Sequence, residues 1–256
     1  MGAEVSLTLH GGAQADLNAA IAEIARMEKL FSIYDPLSEV SQINRNGGGT
    51  LSAASVDLFA LCNQVHHLTH GLFDPTIQPV FKAALAQKAL PWHLVGWDQV
   101  TLEPDHLHLG KKQELTLNGI AQGYATDRVR DLLVARGFTK ALVSVGEHGA
   151  IGGPFRLGLQ DPVYGLVGTR TLQDGSIATS SPGAMRLGAG THILSPYGET
   201  VPYWSTVTVE AESAALADGL STALCLASRT QIEDIAKATN VRVTLIDPEG
   251  DMSLVG

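Results

Sequence analysis

The chain has 256 residues, of which 45% are hydrophobic and 5% aromatic, and its formal net charge at pH 7 is −9. This length and apolar content predict one globular domain of mixed architecture over residues 1–256. The negative charge disfavours nucleic acids and anionic membrane surfaces as partners, because both attract basic proteins. The longest apolar runs fall short of the roughly eighteen residues of a membrane-spanning helix, so no span is predicted.

The two cysteines and the first residues carry limited information about the compartment. Cys62 and Cys225 occupy apolar-face positions of predicted helices and are interpreted as buried free thiols. No signal peptide is visible. The start on a strand-like run also fits a protein from which an export signal has been removed, so the sequence leaves a cytoplasmic and an exported location open.

The first quarter of the chain alternates apolar patterns with turn-forming residues. The patterns predict a strand at 4–9 and amphipathic helices at 16–31 and 55–69. Between the helices, Pro36 and the glycines at 47–49 predict a loop, in which Ser41 and Asn44 share one side of a short helical turn. Such a loop is either a solvated turn or a binding loop for a heteroaromatic ligand.

The next quarter contains histidines, prolines and a glycine turn. His66, His67 and His70 are interpreted as the end of a helix rather than a metal site, because a matching ligand cluster is missing. Two prolines in the turn at 71–80 fix the place of Asp74. A helix, a Trp-bearing connection and a hairpin follow. Residues 115–127 then predict a strand, a glycine turn and the start of a helix, a junction that suits phosphate, although its spacing is unspecific.

The second half of the chain is predicted to contain more strands than helices. Its predicted elements are strands at 141–145 and 155–159, a strand from 206, a helix at 230–238, and a terminal hairpin of 241–246 with 252–255. Residues 176–183 carry a dense hydroxyl cluster. His192 follows a glycine-rich stretch, and only a position close to a metal would give this single histidine a catalytic role.

The stretch at 213–227 predicts a helix with two different sides. Leu216, Leu220 and Leu224 form an apolar ridge, whereas Asp218 and Thr222 lie one turn apart on the opposite side among small residues. A carboxylate and a hydroxyl at this spacing suit a hard cation such as Mg²⁺. Alternatively, Asp218 caps a neighbouring loop and Thr222 bonds back to its own helix.

Eight segments, taken in this order and nearly from end to end, resemble the ApbE family of FAD:protein FMN transferases. They are Met1-Gly2-Ala3, SIYDPLSEVSQIN, GLFDPTIQPV, NGIAQGYATD, the strand ending in VSVG, ATSSPG, HILSPYG and AALADGLSTAL.

The resemblance implies a single α+β domain of the T-fold-like kind, with FAD in a cleft between two lobes. It implies Mg²⁺ on the pyrophosphate, held by Asp218, Thr222 and the backbone carbonyl of Gly119. The implied FAD-contacting residues are Met1, Tyr34, Leu72, Phe73, Asp74, Thr116, Asn118, Gln122, His192 and Ile193.

The implied reaction is transfer of FMN from FAD to a Ser or Thr hydroxyl of a partner protein, with release of AMP. The expected partner is a membrane-associated redox protein, and the expected location is the periplasm. His192 is the expected general base, since imidazole can accept a hydroxyl proton near neutral pH.

Several residues depart from the family pattern. Thr116-Leu117-Asn118-Gly119 and Ile120-Ala121-Gln122-Gly123 replace a run with an acidic residue and a lysine by neutral side chains. The usual Gly-Gly-Asp is Gly146-Glu147-His148, and Ser195 stands where an aspartate would orient His192. These changes suit a dedicated subgroup, a non-catalytic FAD-binding or delivery protein, or an Mg²⁺-dependent FAD pyrophosphatase.

Overall fold

The structure, a computed structural model, describes residues 4–188, 190–198 and 201–256, so that Met1 lies outside the described residues. Its strands are β1 (Val5–Leu9), β2 (Gly48–Thr50), β3 (Thr101–Leu102), β4 (His106–His108), β5 (Ala141–Val145), β6 (Glu147–Ile151), β7 (Phe155–Asp161), β8 (Gly165–Leu172), β9 (Ser176–Ser180), β10 (Arg186–Leu187), β11 (Gly190–Thr191), β12 (Thr206–Ala211), β13 (Arg242–Ile246) and β14 (Met252–Val255). Its α-helices are α1 (Gln14–Phe31), α2 (Glu39–Asn46), α3 (Ala53–Leu68), α4 (Gln78–Leu85), α5 (Ala121–Ala135), α6 (Ala214–Leu224) and α7 (Arg229–Thr239).

A seven-stranded antiparallel sheet organises these elements, in the order β1-β5-β6-β9-β12-β13-β14. Helices α5 and α6 pack together against its central strands, and α1 and α3 pack in turn on these two helices. Three smaller sheets are β2-β4-β3, the hairpin β7-β8, and β10-β11. Helices gathered on an antiparallel sheet confirm the predicted α+β class.

Strand β12, which lies beside the central strand β9, is buried along most of its length, and its composition mixes apolar and hydroxyl side chains. Val207 and Val209 are fully buried in the main core. The buried Thr208 hydroxyl lies 2.9 Å from the Thr179 hydroxyl on the neighbouring β9, so its polarity is satisfied within the sheet.

Helix α6 confirms the two-sided pattern predicted from the sequence. Ser213 caps its N-terminus by accepting a hydrogen bond from Leu216 N at 3.2 Å. Leu220 and Leu224 are fully buried, so the apolar ridge anchors the helix. The ridge leaves Asp218 and Thr222 to a different environment, described below.

A glycine allows α5 and α6 to approach each other closely. A Cβ atom on Gly123 would lie 2.2 Å from the backbone oxygen of Ala214 and 2.7 Å from Cβ of Asp218. No side chain fits in that space, so glycine is needed here. The close approach lets Gly123 N donate a hydrogen bond to Asp218 Oδ2 at 2.9 Å.

Two predicted segments differ from the structure. The predicted loop after α1 contains α2, which begins where Ser38 Oγ accepts from Ser41 N and ends at Gly47 in the left-handed region with φ of 74°. Residues 115–117, predicted as a strand, instead pair with a side chain. Asn44 bonds both the N–H and the C=O of Leu115, at 2.6 and 2.9 Å, which imitates one step of strand pairing.

Several other predicted elements agree with the structure. Helices α1, α3 and α7 and the terminal hairpin β13-β14 are confirmed within one or two residues. Cys62 and Cys225 are buried free thiols, as predicted. Each helix within the described ranges is too short or too polar to cross a bilayer.

Candidate active site

A cavity of about 320 Å³ opens beside α6, at the N-terminal end of α5 and the C-terminal end of β9. This volume is typical of the smaller ligand-binding clefts. Eight of its lining residues were predicted as site residues: Tyr34, Thr116, Asn118, Gln122, His192, Ile193, Asp218 and Thr222. Gly119, the predicted backbone ligand, also lines the cavity.

The predicted metal ligands lie together on one wall. Asp218 and Thr222 project from successive turns of α6, and a Cβ atom on Gly119 would lie 2.9 Å from Thr222 Oγ1. The Gly119 Cα therefore lies close to the Thr222 side chain, with no side chain between them. The Ser180 hydroxyl lies 3.3 Å from Thr222 Oγ1 and supports it from β9.

Asp218 has an environment that disfavours its charged form. Only 4% of the residue is exposed. Burial raises the pKa of its carboxyl group to about 7, and this effect outweighs the lowering by the hydrogen bond from Gly123 N, while the negative charge of Asp127 adds to the rise. A bound cation would reverse this balance, because it stabilises the carboxylate. The sequence left two roles open for Asp218, cation binding and capping. The hydrogen bond from Gly123 N, in the first turn of α5, shows that Asp218 does cap a neighbouring segment.

Glu147 places a second carboxylate in the cavity, which the sequence analysis did not predict as a site residue. Burial raises the pKa of Glu147 well above its ordinary value, and the negative charge of Asp218 raises it further, against the hydrogen bond from Thr179 N. The one signal in the sequence was the departure at Gly146-Glu147-His148. That departure could not be placed in the cavity without knowing the register of β6 beside β9.

The turn before α5 and the first turn of this helix supply three polar residues to the cavity. Thr116, Asn118 and Gln122 all line it, close to the first turn of α5. Thr116 N donates to the Pro75 oxygen at 2.8 Å, and Asn118 N lies 3.3 Å from Thr116 Oγ1. These bonds hold the turn so that the start of the helix points towards the cavity, an arrangement that suits phosphate.

His192 lies at the cavity with one ring nitrogen engaged by backbone. Its Nδ1 is 3.1 Å from the Pro182 oxygen and 3.3 Å from the Met185 oxygen. Carbonyl oxygens only accept, so we assign the ring proton to Nδ1, which leaves Nε2 as an acceptor. Ser195 does not orient the ring, since its hydroxyl accepts from Tyr197 N, so the two carbonyls take over the orienting role.

Tyr34 and the 72–74 run differ in their relation to the cavity. Tyr34 lines it with 69% of the residue exposed, as a ring at the mouth would be. Leu72, Phe73 and Asp74 lie outside the lining. Asp74 accepts hydrogen bonds from Thr76 N, Thr76 Oγ1 and Trp97 N, which shapes the turn before α4.

Other lining residues were not predicted from the sequence. Ile77 and Phe81 follow the Asp74 turn and give the cavity an apolar side, and the hydroxyls of Thr179, Ser180 and Ser181 line the end of β9. The hydroxyl cluster was visible in the sequence, but its direction depends on the pairing of β9 with β12. The apolar pair had no local signal.

The donor set is rich in oxygen. Within the part of the chain that the structure describes, no three His, Cys, Asp or Glu side chains cluster as a metal site. The His66 ring instead bonds the Phe73 oxygen at 2.8 Å, in agreement with a structural role for the 66–70 histidines. Two carboxylates, a hydroxyl and a backbone carbonyl fit Mg²⁺, which keeps several water ligands, better than Zn²⁺.

Comparisons with known proteins agree with this architecture. The chain is 27% identical over 202 residues to the FAD:protein FMN transferase of Klebsiella pneumoniae (strain 342), an alignment over 70% of this chain and 63% of the relative, so that it spans less than two thirds of that protein. It is 28% identical over 239 residues to the FAD:protein FMN transferase of Chlamydia trachomatis serovar D, covering 80% and 73% of the two chains. The fold is similar to the crystal structure of the ApbE protein of Thermotoga maritima, with a TM-score of 0.87, 23% identity and coverage of 98% and 92%. A profile of the ApbE family matches residues 1–245, and the chain therefore belongs to the ApbE family.

Proposed function

We propose that this protein transfers the FMN moiety of FAD to a Ser or Thr hydroxyl of a partner protein, releasing AMP, with Mg²⁺ at the cavity. The observation that carries the proposal is the wall formed by Asp218, Thr222 and Gly119. The names of the aligned relatives, both FAD:protein FMN transferases, support the same activity.

Mg²⁺ suits this wall because every potential donor is an oxygen. Asp218 would provide the charged ligand, Thr222 its hydroxyl and Gly119 its backbone carbonyl. The described cavity lining contains no Lys or Arg that could neutralise two phosphates. When bound, the cation would supply this neutralisation and orient the pyrophosphate.

The rest of the cavity offers groups for the remainder of FAD. Phe81 and Ile193 provide apolar surface, and the exposed ring of Tyr34 can stack on a heteroaromatic system. The Thr116, Asn118 and Gln122 side chains offer hydrogen bonds near the start of α5. FAD would thus place its pyrophosphate between α5 and α6.

The transfer step follows from the position of His192. The acceptor hydroxyl oxygen forms a bond to the FMN-side phosphorus, and the bond from this phosphorus to the bridging oxygen breaks, so that AMP leaves with that oxygen. The hydroxyl proton goes to Nε2 of His192, which the bonds at Nδ1 keep available. Positioning and charge neutralisation supply most of the acceleration.

The acceptor is proposed from the same activity as a membrane-associated redox protein that carries a Ser or Thr modification site. Its identity and the periplasmic location stay predictions. An open approach to the cavity is compatible with a protein acceptor, because Tyr34, which lines the cavity, is 69% exposed.

Incubation of the protein with FAD, MgCl₂ and a Ser- or Thr-containing acceptor peptide tests the proposal. AMP release with an equal amount of peptide that gains the mass of FMN minus water supports the transferase. AMP without a peptide adduct would indicate a pyrophosphatase. Bound FAD without AMP would indicate a carrier, the alternative motivated by Gln122 and Ser195.

A further inference from the structure

Glu147 lies at the start of β6 and lines the same cavity as Asp218, Gly119 and Thr222. Thr179 N donates a hydrogen bond to Glu147 Oε2 at 3.0 Å. Among the described residues, this amide is the hydrogen-bond donor to the carboxylate. The neighbouring strand β9 therefore fixes one oxygen of Glu147 and does not neutralise its charge.

The two carboxylates share a site without basic side chains. The described lining of the cavity contains neither Lys nor Arg, and His192 is already engaged at Nδ1. Glu147 and Asp218 line the same cavity, and each receives one backbone N–H hydrogen bond among the described residues. Two acids that line one cavity and have few hydrogen-bond partners keep a proton or bind a cation, because uncompensated charges shielded from water are costly.

Their surroundings favour a cation over a purely structural proton. Glu147 and Asp218 face a cavity rather than packed side chains, and the Thr222 hydroxyl and the Gly119 backbone lie on the same wall. An additional carboxylate raises the affinity of oxygen-based sites for divalent cations, because it adds ligand charge. If Asp218 were the single carboxylate at the site, most of the negative charge that attracts the cation would have to come from the pyrophosphate of FAD.

We propose that Glu147 is a second carboxylate ligand of the divalent cation, so that this protein binds Mg²⁺ before FAD and without it. The inference deepens the proposed function, on which it rests for the choice of cation. Glu147 thereby prepares a positively charged surface for the pyrophosphate in a cavity that has no basic side chain of its own among the described residues.

The test is a titration of the purified protein with MgCl₂ in the absence of nucleotide. Isothermal titration calorimetry measures the binding, and the melting temperature measures its effect on stability. The wild-type protein should bind one or more Mg²⁺ ions and gain thermal stability. Glu147→Gln, which keeps an oxygen that can accept from Thr179 N, should weaken Mg²⁺ binding about tenfold or more. Glu212→Gln, an exposed carboxylate outside this cavity, is the matched control and should bind as the wild type.

The metal-free proteins give a second, opposite readout. Without Mg²⁺, Glu147→Gln should melt about 2–4 °C above the wild type, because it removes a carboxyl group that shares the cavity with Asp218 and has no basic partner there. With saturating Mg²⁺, the order should reverse. A purely structural role for Glu147 would lower stability under both conditions, and this result would overturn the proposal.

The outcomes separate this inference from the proposed function. If Asp218→Asn loses Mg²⁺ binding while Glu147→Gln keeps the wild-type affinity, Glu147 is not a ligand, although the transferase proposal stands. If the wild type binds no Mg²⁺ until FAD is added, the inference is also wrong. If the wild type binds Mg²⁺ through both residues but releases no AMP from FAD, the second carboxylate stands and the transferase proposal fails.

Discussion

Two pairs of acidic residues with low exposure differ in the number of hydrogen bonds that their carboxylates receive. Asp161 accepts four hydrogen bonds, from Ser205 Oγ, Thr206 Oγ1, Val163 N and Tyr164 N, at 2.6 to 3.0 Å. Asp127 accepts from Ser213 Oγ, Ala214 N and Ala215 N, and pairs with Arg130. In contrast, Asp218 and Glu147 each receive one backbone N–H bond within the described ranges.

The difference in hydrogen bonding explains why the pKa values of Asp161 and of the two cavity acids shift in opposite directions. For Asp161, burial favours the neutral form, but its hydrogen bonds outweigh burial and lower the pKa of the carboxyl group. Asp127 satisfies the first amides of α6 and so fixes the helix that carries the cavity ligands. Burial raises the pKa values of Asp218 and Glu147, and the single N–H bond that each receives does not offset it. A carboxylate in this second state gains most from a cation.

Replacement of a cavity carboxylate should have the largest effect. Asp218→Ala should lower Mg²⁺-dependent AMP release from FAD by about 10³-fold or more, since several kcal/mol of charge stabilisation are lost. Steady-state AMP formation at saturating FAD measures it. The exposed Asp234→Ala in α7 is the control, and turnover of Asp218→Ala at the control's rate would contradict the assigned site.

His192 allows a second test, because its proposed role is to accept the proton of the acceptor hydroxyl rather than to bind the cation. His192→Ala should slow transfer by about 10²–10⁴-fold while FAD affinity changes much less. Single-turnover rates and FAD fluorescence quenching give the two quantities. The exposed His108→Ala on β4 should leave both unchanged. Equal losses in rate and affinity for His192→Ala would assign the ring to FAD binding instead.

The sequence predicted the part of the site that is local in the chain. Asp218 and Thr222 followed from helical periodicity. The glycine turn before a helix indicated a place for phosphate, and the family resemblance added Gly119 as a cation ligand. The residues that the sequence could not assign depend on strand pairing: Glu147 reaches the cavity because β6 lies beside β9, and Asp127 caps a helix that begins 87 residues later in the chain. The family resemblance placed His192, but only the structure gave its Nδ1 partners.

The opposite pKa shifts predict opposite dependences of stability on pH. The raised pKa of Asp218 contributes stability to the metal-free protein that is present below about pH 4 and lost as pH rises to about 7, and the raised pKa of Glu147 acts in the same direction. The expected loss is on the order of 2–4 kcal/mol, measured as melting temperature in EDTA between about pH 5 and pH 8. Saturating Mg²⁺ should abolish this slope, and an unchanged slope with Mg²⁺ would argue against cation binding by these acids.

Asp161 should show the reverse sign. Its lowered pKa contributes stability that is present above about pH 4 and is lost as pH falls through the folded-state pKa. Asp161→Ala should cost about 2–4 kcal/mol of unfolding free energy at neutral pH, because four donors lose their acceptor. Urea unfolding measures this cost, with Asp234→Ala as the control. If the loss of unfolding free energy in Asp161→Ala disappears on addition of Mg²⁺, the purely structural role assigned to Asp161 is wrong.

The substitution with the smallest expected effect tests whether the Gly119 backbone contributes to the proposed cation site. A Cβ atom on Gly119 would lie 2.9 Å from Thr222 Oγ1, so Gly119→Ala should displace the hydroxyl and weaken Mg²⁺ binding about tenfold. Gly183→Ala, in the turn beside the cavity, adds the same methyl group to open space and should bind Mg²⁺ as the wild type. Because neither variant changes the charge, a shared loss would show that the cavity tolerates no added bulk, whereas a loss in Gly119→Ala alone identifies the contact with Thr222 as part of the cation site.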